Sequence, residues 1–216
     1  MSSSGVGMGY VSDQSSDPEA FLAQTGVSRE TLALLVAYEG LLCRWQEKIN
    51  LVGAATLDNL WHRHMLDSAQ LLTLLPAKAR TLVDLGSGGG FPGMVLSIMG
   101  VPEVHLVESN QRKAAFLREA ARISGGKVIV HATRIEALRP FPADVVTARA
   151  LAPLSRLVSY AAPFVAMGGI CVFPKGRGVE KELTKVNEIW KMRLVRVPSR
   201  TDPSSTILRI GAPRPA

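Results

Sequence analysis

The sequence predicts an α/β protein in which a mostly parallel seven-stranded sheet carries helices on both faces and follows an N-terminal helical cap. Three observations predict this. Residues up to about 79 place apolar side chains only at helical spacing, short apolar runs alternate with helical stretches from Arg80 onward, and a glycine-rich turn joins the first such run to the helix after it.

The segment 1–16 is rich in Ser and Gly and has neither the basic start nor the apolar run of a signal peptide, so it reads as a disordered tail. In the cap, residues 17–79, Leu34, Tyr38, Leu41, Leu42, Trp45 and Ile49 recur every three or four positions after a Ser28 cap. A second amphipathic helix is expected from about Trp61 to Leu75. Pro76 ends it, because proline costs the helix a backbone hydrogen bond.

Residues 80–216 form the core. Strands are expected at Thr81–Leu85, Glu103–Glu108, Lys127–His131, Asp144–Ala148 and Gly169–Pro174. A helix beginning near Asn110 should carry Ala114, Ala115, Phe116 and Leu117 inward and stop at Gly125-Gly126, where glycine accepts the left-handed conformation. Met192–Val197 and Thr206–Ile210 are separated by too few residues for a crossover helix, which predicts an antiparallel pair at the sheet edge.

At 216 residues the chain has the length of one domain, and no run approaches the roughly 20 apolar residues that cross a bilayer. No membrane association is expected, and the protein is read as cytoplasmic. Cys43 and Cys171 stand alone in apolar surroundings and read as buried free thiols, so no metal centre is expected. Residues 1–80 carry 6 Lys/Arg against 8 Asp/Glu, whereas residues 81–216 carry 19 against 10. The first part is thus −2 and the rest +9, a distribution that suits a polyanion such as nucleic acid.

The turn reads Asp84-Leu85-Gly86-Ser87-Gly88-Gly89-Gly90-Phe91-Pro92-Gly93. Glycines are needed where the backbone turns sharply and approaches a ligand. Gly88, Gly90 and Gly93 satisfy the dinucleotide pattern, so a pyrophosphate ligand has to be weighed. Asp84, two residues before the first glycine, is expected near the ligand, where it would repel pyrophosphate and favour the sulfonium and ammonium of S-adenosylmethionine. Asp84, Gly86, Gly88 and Gly90 match the D-x-G-x-G-x-G signature, which resembles that of class I, Rossmann-like methyltransferases. Glu108, ending the second strand, is placed to accept the ribose hydroxyls. By analogy with that fold, Arg134-Ile135-Glu136 holds the adenine.

Two acceptor chemistries lack their residues. The place after the fourth strand reads Ala148-Arg149-Ala150-Leu151 rather than an Asn-Pro-Pro-Tyr type of box, and Cys171 has no partner to activate it for attack on cytosine. From about Tyr38 to Ile210 the chain resembles the bacterial 16S rRNA guanine-N7 methyltransferases, the glucose-inhibited division protein B family. The likeness rests on Trp45, Asn50-Leu51, Arg63-His64 with Asp67-Ser68, the Gly86–Gly93 loop, Arg134-Ile135-Glu136, Ala148-Arg149-Ala150 and Lys175-Gly176. It implies methyl transfer to N7 of guanine 527 in 16S rRNA, with the 30S subunit as the substrate form. It also implies cofactor contacts at Gly86, Phe91, Ile135, Glu136 and Arg149.

Guanine N7 presents a lone pair and no proton, so such an enzyme needs no general base, and no catalytic side chain is assigned. Arg63, His64, Asp67 and Ser68 are candidates for the RNA side, beside the plainer reading of an Arg63–Asp67 surface ion pair. Arg112, Lys113, Lys175 and Arg177 are candidate phosphate contacts. No protein partner is predicted. Three rivals remain open: a methyltransferase of another acceptor, a dinucleotide enzyme and a ribosome-assembly factor without turnover.

Overall fold

The computed structural model describes residues 17–216; the expectation for 1–16 lies outside them. Helix α1 (Pro18–Thr25) begins at Asp17, whose carboxylate accepts from Ala20 N, and α2 (Arg29–Gln46) begins at Ser28, whose hydroxyl accepts from Thr31 N. Seven strands follow: β1 (Thr81–Leu85), β2 (Glu103–Val107), β3 (Lys127–His131), β4 (Ala143–Thr147), β5 (Val165–Lys175), β6 (Trp190–Pro198) and β7 (Thr206–Pro215). Their spatial order is β3-β2-β1-β4-β5-β7-β6. β1 to β5 pair in parallel, and β7 runs antiparallel to both β5 and β6, as the short 198–205 connection demands.

The chain reverses its strand order at β1, so the connections that leave the carboxyl ends of the paired strands β1 and β4 turn to opposite faces of the sheet and leave between them the crevice where open α/β sheets bind ligands. One apolar cluster joins α1, α2, α4 (Gly93–Ile98) and α5 (Gln111–Ala121) to one face of the sheet through Tyr38, Met94, Phe116 and Leu82. A second packs α6 (Leu154–Ala161) and α7 (Val179–Asn187) on the other face through Leu157, Leu183, Val83 and Phe173. Among the described residues no helix is long and apolar enough to cross a membrane, and no group of three or more His, Cys, Asp or Glu is arranged to hold a metal ion.

Three expectations change. The helix expected over 61–75 is a succession of short turns: a 3-10 turn at Ala54–Asn59, a π-helical turn at Trp61–Leu66, a single α turn α3 (Asp67–Ala69) and a 3-10 turn at Gln70–Leu74. Side chains hold carbonyls of the π turn, Arg149 from far along the chain on Arg63 O and Ser68 locally on His64 O, so these carbonyls have partners outside a regular helical ladder. Helix α5 ends at Ala121, before the glycines, and Ala115 faces solvent because its inward stripe is Ala114, Phe116, Leu117 and Ala120. Cys43 is exposed on α2, whereas Cys171 is buried in β5, where burial pushes the thiol up to about 12.

Candidate functional site

The glycine loop closes the carboxyl end of β1. Gly86 N and Ser87 N donate to Val107 O, Gly90 N and Phe91 N to Ser87 O, Gly88 N to Glu108 Oε2, and Gly93 N to Asp84 Oδ2. Pro92 has no N–H to offer. Six of the loop amides are therefore engaged inside the protein, which leaves few to turn toward a pyrophosphate.

The glycines do different work. A Cβ on Gly88, at φ +57°, would meet nothing nearer than Gly86 O at 3.9 Å, so that position opens into the crevice. A Cβ on Gly86 would strike Leu151 at 2.6 Å, whereas one on Gly90, at φ +92°, would strike the Tyr38 hydroxyl at 2.5 Å. Gly90 lies away from the crevice. It lets α2 approach, with Tyr38 donating its hydroxyl hydrogen to Gly89 O. Gly93 similarly admits Leu106 and Asp84 against the helix that follows.

Asp84 is also displaced from its expected role. Its carboxyl is fully buried under the loop, accepting from Thr147 Oγ1 at 2.8 Å and Gly93 N at 3.3 Å, and burial raises it to about 6. It braces β1 against β4 and the loop instead of facing a ligand. The case against pyrophosphate therefore rests on the engaged loop amides rather than on a carboxylate facing the ligand.

Beside Gly86 and Gly88, one cleft is lined by Glu108, Thr133, Ile135, Glu136, Tyr160 and Arg149. Glu108 accepts from Gly88 N at 2.9 Å and Asn110 N at 2.8 Å. A carboxylate has about four lone-pair positions, so both oxygens can still accept from vicinal hydroxyls. Ile135 offers an apolar wall, while Glu136 is exposed and accepts from Tyr160 Oη at 2.6 Å. These groups suit a nucleoside without phosphates: an open cradle at Gly88, a carboxylate for the ribose and an apolar edge for the base.

A second cleft, continuous through Gly86 and Gly88, is walled by Leu51, Val52, Thr56, Arg63, His64, Asp67, Phe91, Lys113 and Arg149, and by Thr201, Asp202 and Ser205 from the β6–β7 loop. Arg149 is its centre. One guanidinium nitrogen donates to Arg63 O at 3.1 Å and Asp67 Oδ2 at 3.2 Å, and the other donates to His64 Nδ1 at 2.6 Å. The guanidinium carbon lies 5.2 Å from the centre of the Phe91 ring. A guanidinium only donates, so Nδ1 accepts and the proton of a neutral His64 sits on Nε2, which donates to Thr56 Oγ1 at 2.8 Å. Burial, with the charges of Arg149 and Arg63, lowers this imidazole to about 3.

Asp67 is equally committed, accepting from Thr201 Oγ1 at 2.8 Å and Gln70 Nε2 at 2.9 Å besides Arg149. The Arg63–Asp67 pair does not form, because Asp67 turns to Arg149 while Arg63 lies 4.0 Å from Asp202. Ser68 is fully buried with its hydroxyl on His64 O, so it faces away from the cleft. Ala150, next to Arg149, has φ +52°, a conformation that costs a non-glycine residue roughly 1–2 kcal/mol and marks this turn as held by its surroundings.

The basic candidates divide. Lys113 lines both clefts, whereas Arg112 and Arg177 are exposed outside them. Lys175 is 12% exposed and bound to Glu182 at 2.8 Å, so its charge is already matched. Trp45 donates to Glu119 and packs on Phe116, which makes it a tie between α2 and α5. Sequence reasoning missed Thr56, Gln70, Thr201, Asp202 and Ser205: single polar residues in turns, without a motif, gathered only by folding.

The model of the rRNA small subunit methyltransferase G family matches residues 31–205. The chain is 59% identical over 196 residues to ribosomal RNA small subunit methyltransferase G of Rhodospirillum centenum, covering 90% of this chain and 91% of that one. It is 58% identical over 194 residues to the protein of the same name from Rhodospirillum rubrum, covering 90% and 96%. Solved structures show the fold alone. Magnesium protoporphyrin IX methyltransferase from Synechocystis superposes with a TM-score of 0.58 at 12% identity, over 86% of this chain and 98% of that one. A TehB-like SAM-dependent methyltransferase from Corynebacterium glutamicum gives 0.55 at 13% identity, over 82% and 98%. By the span of the family match and the identity to its relatives, the chain belongs to the rRNA small subunit methyltransferase G family, GidB.

Proposed function

We propose that this chain transfers a methyl group from S-adenosylmethionine to N7 of guanine 527 in the 16S ribosomal RNA, acting in the cytoplasm on the assembled 30S subunit. In this reading residues 80–216 are the cofactor-binding core and residues 17–79 the cap that walls the acceptor cleft. Family membership supplies the substrate class. The N7 position is what the family resemblance implies, and one observation supports it: both ring nitrogens of His64, the imidazole lining the acceptor cleft, are already engaged, so it is not poised to remove a proton.

When bound, S-adenosylmethionine supplies an electrophilic methyl on a sulfonium. Gly88 would leave it room, Glu108 would accept from its ribose, and Ile135 with Glu136 would border its base. Phe91, His64 and Arg149 form a fixed wall on the acceptor side, so the protein's share is orientation, which can supply roughly 7–11 kcal/mol when the reacting atoms are held in line. His64 has no free lone pair to take a proton, and guanine N7 has no proton to give. The methylated ring is cationic, and Asp67 offsets the charge of Arg149 beside it.

The test is small-subunit RNA treated with the protein and S-adenosylmethionine, cleaved by borohydride and aniline at N7-methylguanine, and mapped by primer extension. A single new stop next to guanine 527 is expected. A methyl group on an exocyclic amine or a ribose oxygen would overturn the reading.

A further inference from the structure

Residues 190–216 hold six Lys/Arg and one Asp, so the β6–β7 ribbon alone carries +5 of the chain's +7. Three of the six cations lie elsewhere on the ribbon. Arg196 makes a bidentate pair with Glu180, Arg209 donates to Leu74 O, and Arg200 sits in the loop beside the acceptor cleft. The other three, Lys191, Arg193 and Arg214, line one shallow hollow with Met192 at the far end of the ribbon. Among the described residues none of the three has an ion-pair partner.

The backbone gathers these charges instead of spreading them. Lys191 stands directly opposite Arg214 in the β6–β7 register, an arrangement of like charges that destabilises an antiparallel pair. The register shifts between Lys191 and Arg193, and a shift of this kind re-aims side chains. Gly211, the partner of Arg193, leaves its own side-chain place vacant, and a Cβ there would lie 3.6 Å from two of the Arg193 guanidinium nitrogens. Arg193 therefore lies across β7. Among the described residues β6 is an edge strand, and no further described strand covers this end.

We propose that Lys191, Arg193 and Arg214 form a second RNA-binding surface that grips a phosphodiester backbone away from the methylated nucleotide. The proposal rests on the reading of ribosomal RNA as substrate. Lys191 lies seven residue steps along β6 from Pro198 at the cleft end, about 23 Å at the rise of a strand, so a nucleotide in the cleft cannot touch the hollow. The surface fits a second stretch of the same RNA, where two guanidinium forks and one ammonium meet successive phosphates.

The test is the triple variant K191Q/R193Q/R214Q, compared with wild type for binding to naked small-subunit RNA over a range of potassium chloride concentrations. Each phosphate contact contributes about 0.7–0.9 to the slope of log affinity on log salt, so the variant should lose about 2–3 from that slope. Cofactor affinity and the single-turnover rate at saturating RNA should stay at wild-type values. The charge-keeping variant K191R/R193K/R214K should retain the slope, and melting of the Gln variant should be unchanged or raised because the Lys191–Arg214 repulsion is gone. A wild-type slope in the Gln variant overturns the proposal. Loss of affinity for the intact 30S subunit but not for naked RNA also overturns it, in favour of an acidic ribosomal protein surface. A wild type that shows no salt-dependent RNA binding overturns the substrate reading itself.

Discussion

Replacing His64 by Gln tests the electrostatics of the acceptor wall. Gln can accept from Arg149 through its oxygen and donate to Thr56 through its nitrogen, so the hydrogen bonds survive while the titrating group goes. In the folded protein His64 is lowered to about 3, against about 6.5 in an unfolded chain. The folded value is the lower one, so the unfolded state binds the proton first and stability falls as pH drops from about 6.5 toward 3. From pH 7 to pH 5 the unfolded imidazole takes up most of a proton and the folded one almost none, which costs about 2 kcal/mol.

Asp84 acts in the opposite sense. Burial raises it to about 6, above its unfolded value, so acidification over the same range returns about 1 kcal/mol and flattens the wild-type profile. Urea unfolding of wild type and His64→Gln at pH 7 and pH 5 isolates His64, because Asp84, His105 and His131 are common to both. The variant should gain about 2 kcal/mol on wild type at pH 5 relative to pH 7, near 4–8 °C in melting temperature. Its single-turnover rate at saturating RNA should change only a few-fold, whereas loss of a general base would cost 10²–10⁴. Parallel stability profiles would refute the buried neutral imidazole, and a hundredfold rate loss would refute the base-free mechanism.

Glu108→Gln should weaken S-adenosylmethionine binding by roughly 1.5–3 kcal/mol in calorimetry, and also lower the melting temperature, because Gly88 N and Asn110 N lose a charged acceptor; unchanged affinity would remove Glu108 from the ribose site. Gly88→Val should abolish cofactor binding and also lower the melting temperature, because φ +57° strains a β-branched residue, so Gly88→Ala, with the smaller strain, should weaken binding in a protein that still folds. Gly90→Ala should cost about 1–3 kcal/mol of stability against Tyr38 with cofactor affinity kept, and the reverse pattern would show that the two glycines are misassigned. Lys175→Ala should leave the salt dependence of RNA binding unchanged, since Glu182 already holds that ammonium, and a shallower slope would return Lys175 to the RNA surface.

The parallel strands were legible because each is a short apolar run bounded by breakers, and β1 and β3 fall at their expected limits. The glycine loop was legible because its conformation needs residues without a side chain. The 54–74 segment was not, because alternating apolar and polar positions suit a regular helix as well as the π and 3-10 turns found, and the Arg149 hydrogen bond to Arg63 O in the π turn comes from 86 residues away.

The sequence by itself determined the fold class, the cofactor-type loop and the uneven charge, since periodicity, glycine placement and net charge are local properties of the chain. Only the tertiary structure decided which glycine faces ligand and which faces Tyr38, that Asp84 lies beneath the loop, and that His64 is neutral. Each of these depends on partners drawn from far along the chain: Asp67 and Thr201, 134 residues apart, meet at 2.8 Å, and Arg149 reaches His64 across 85 residues. Burial and hydrogen-bond competition set the state of a side chain, and both are fixed by neighbours that only folding brings together.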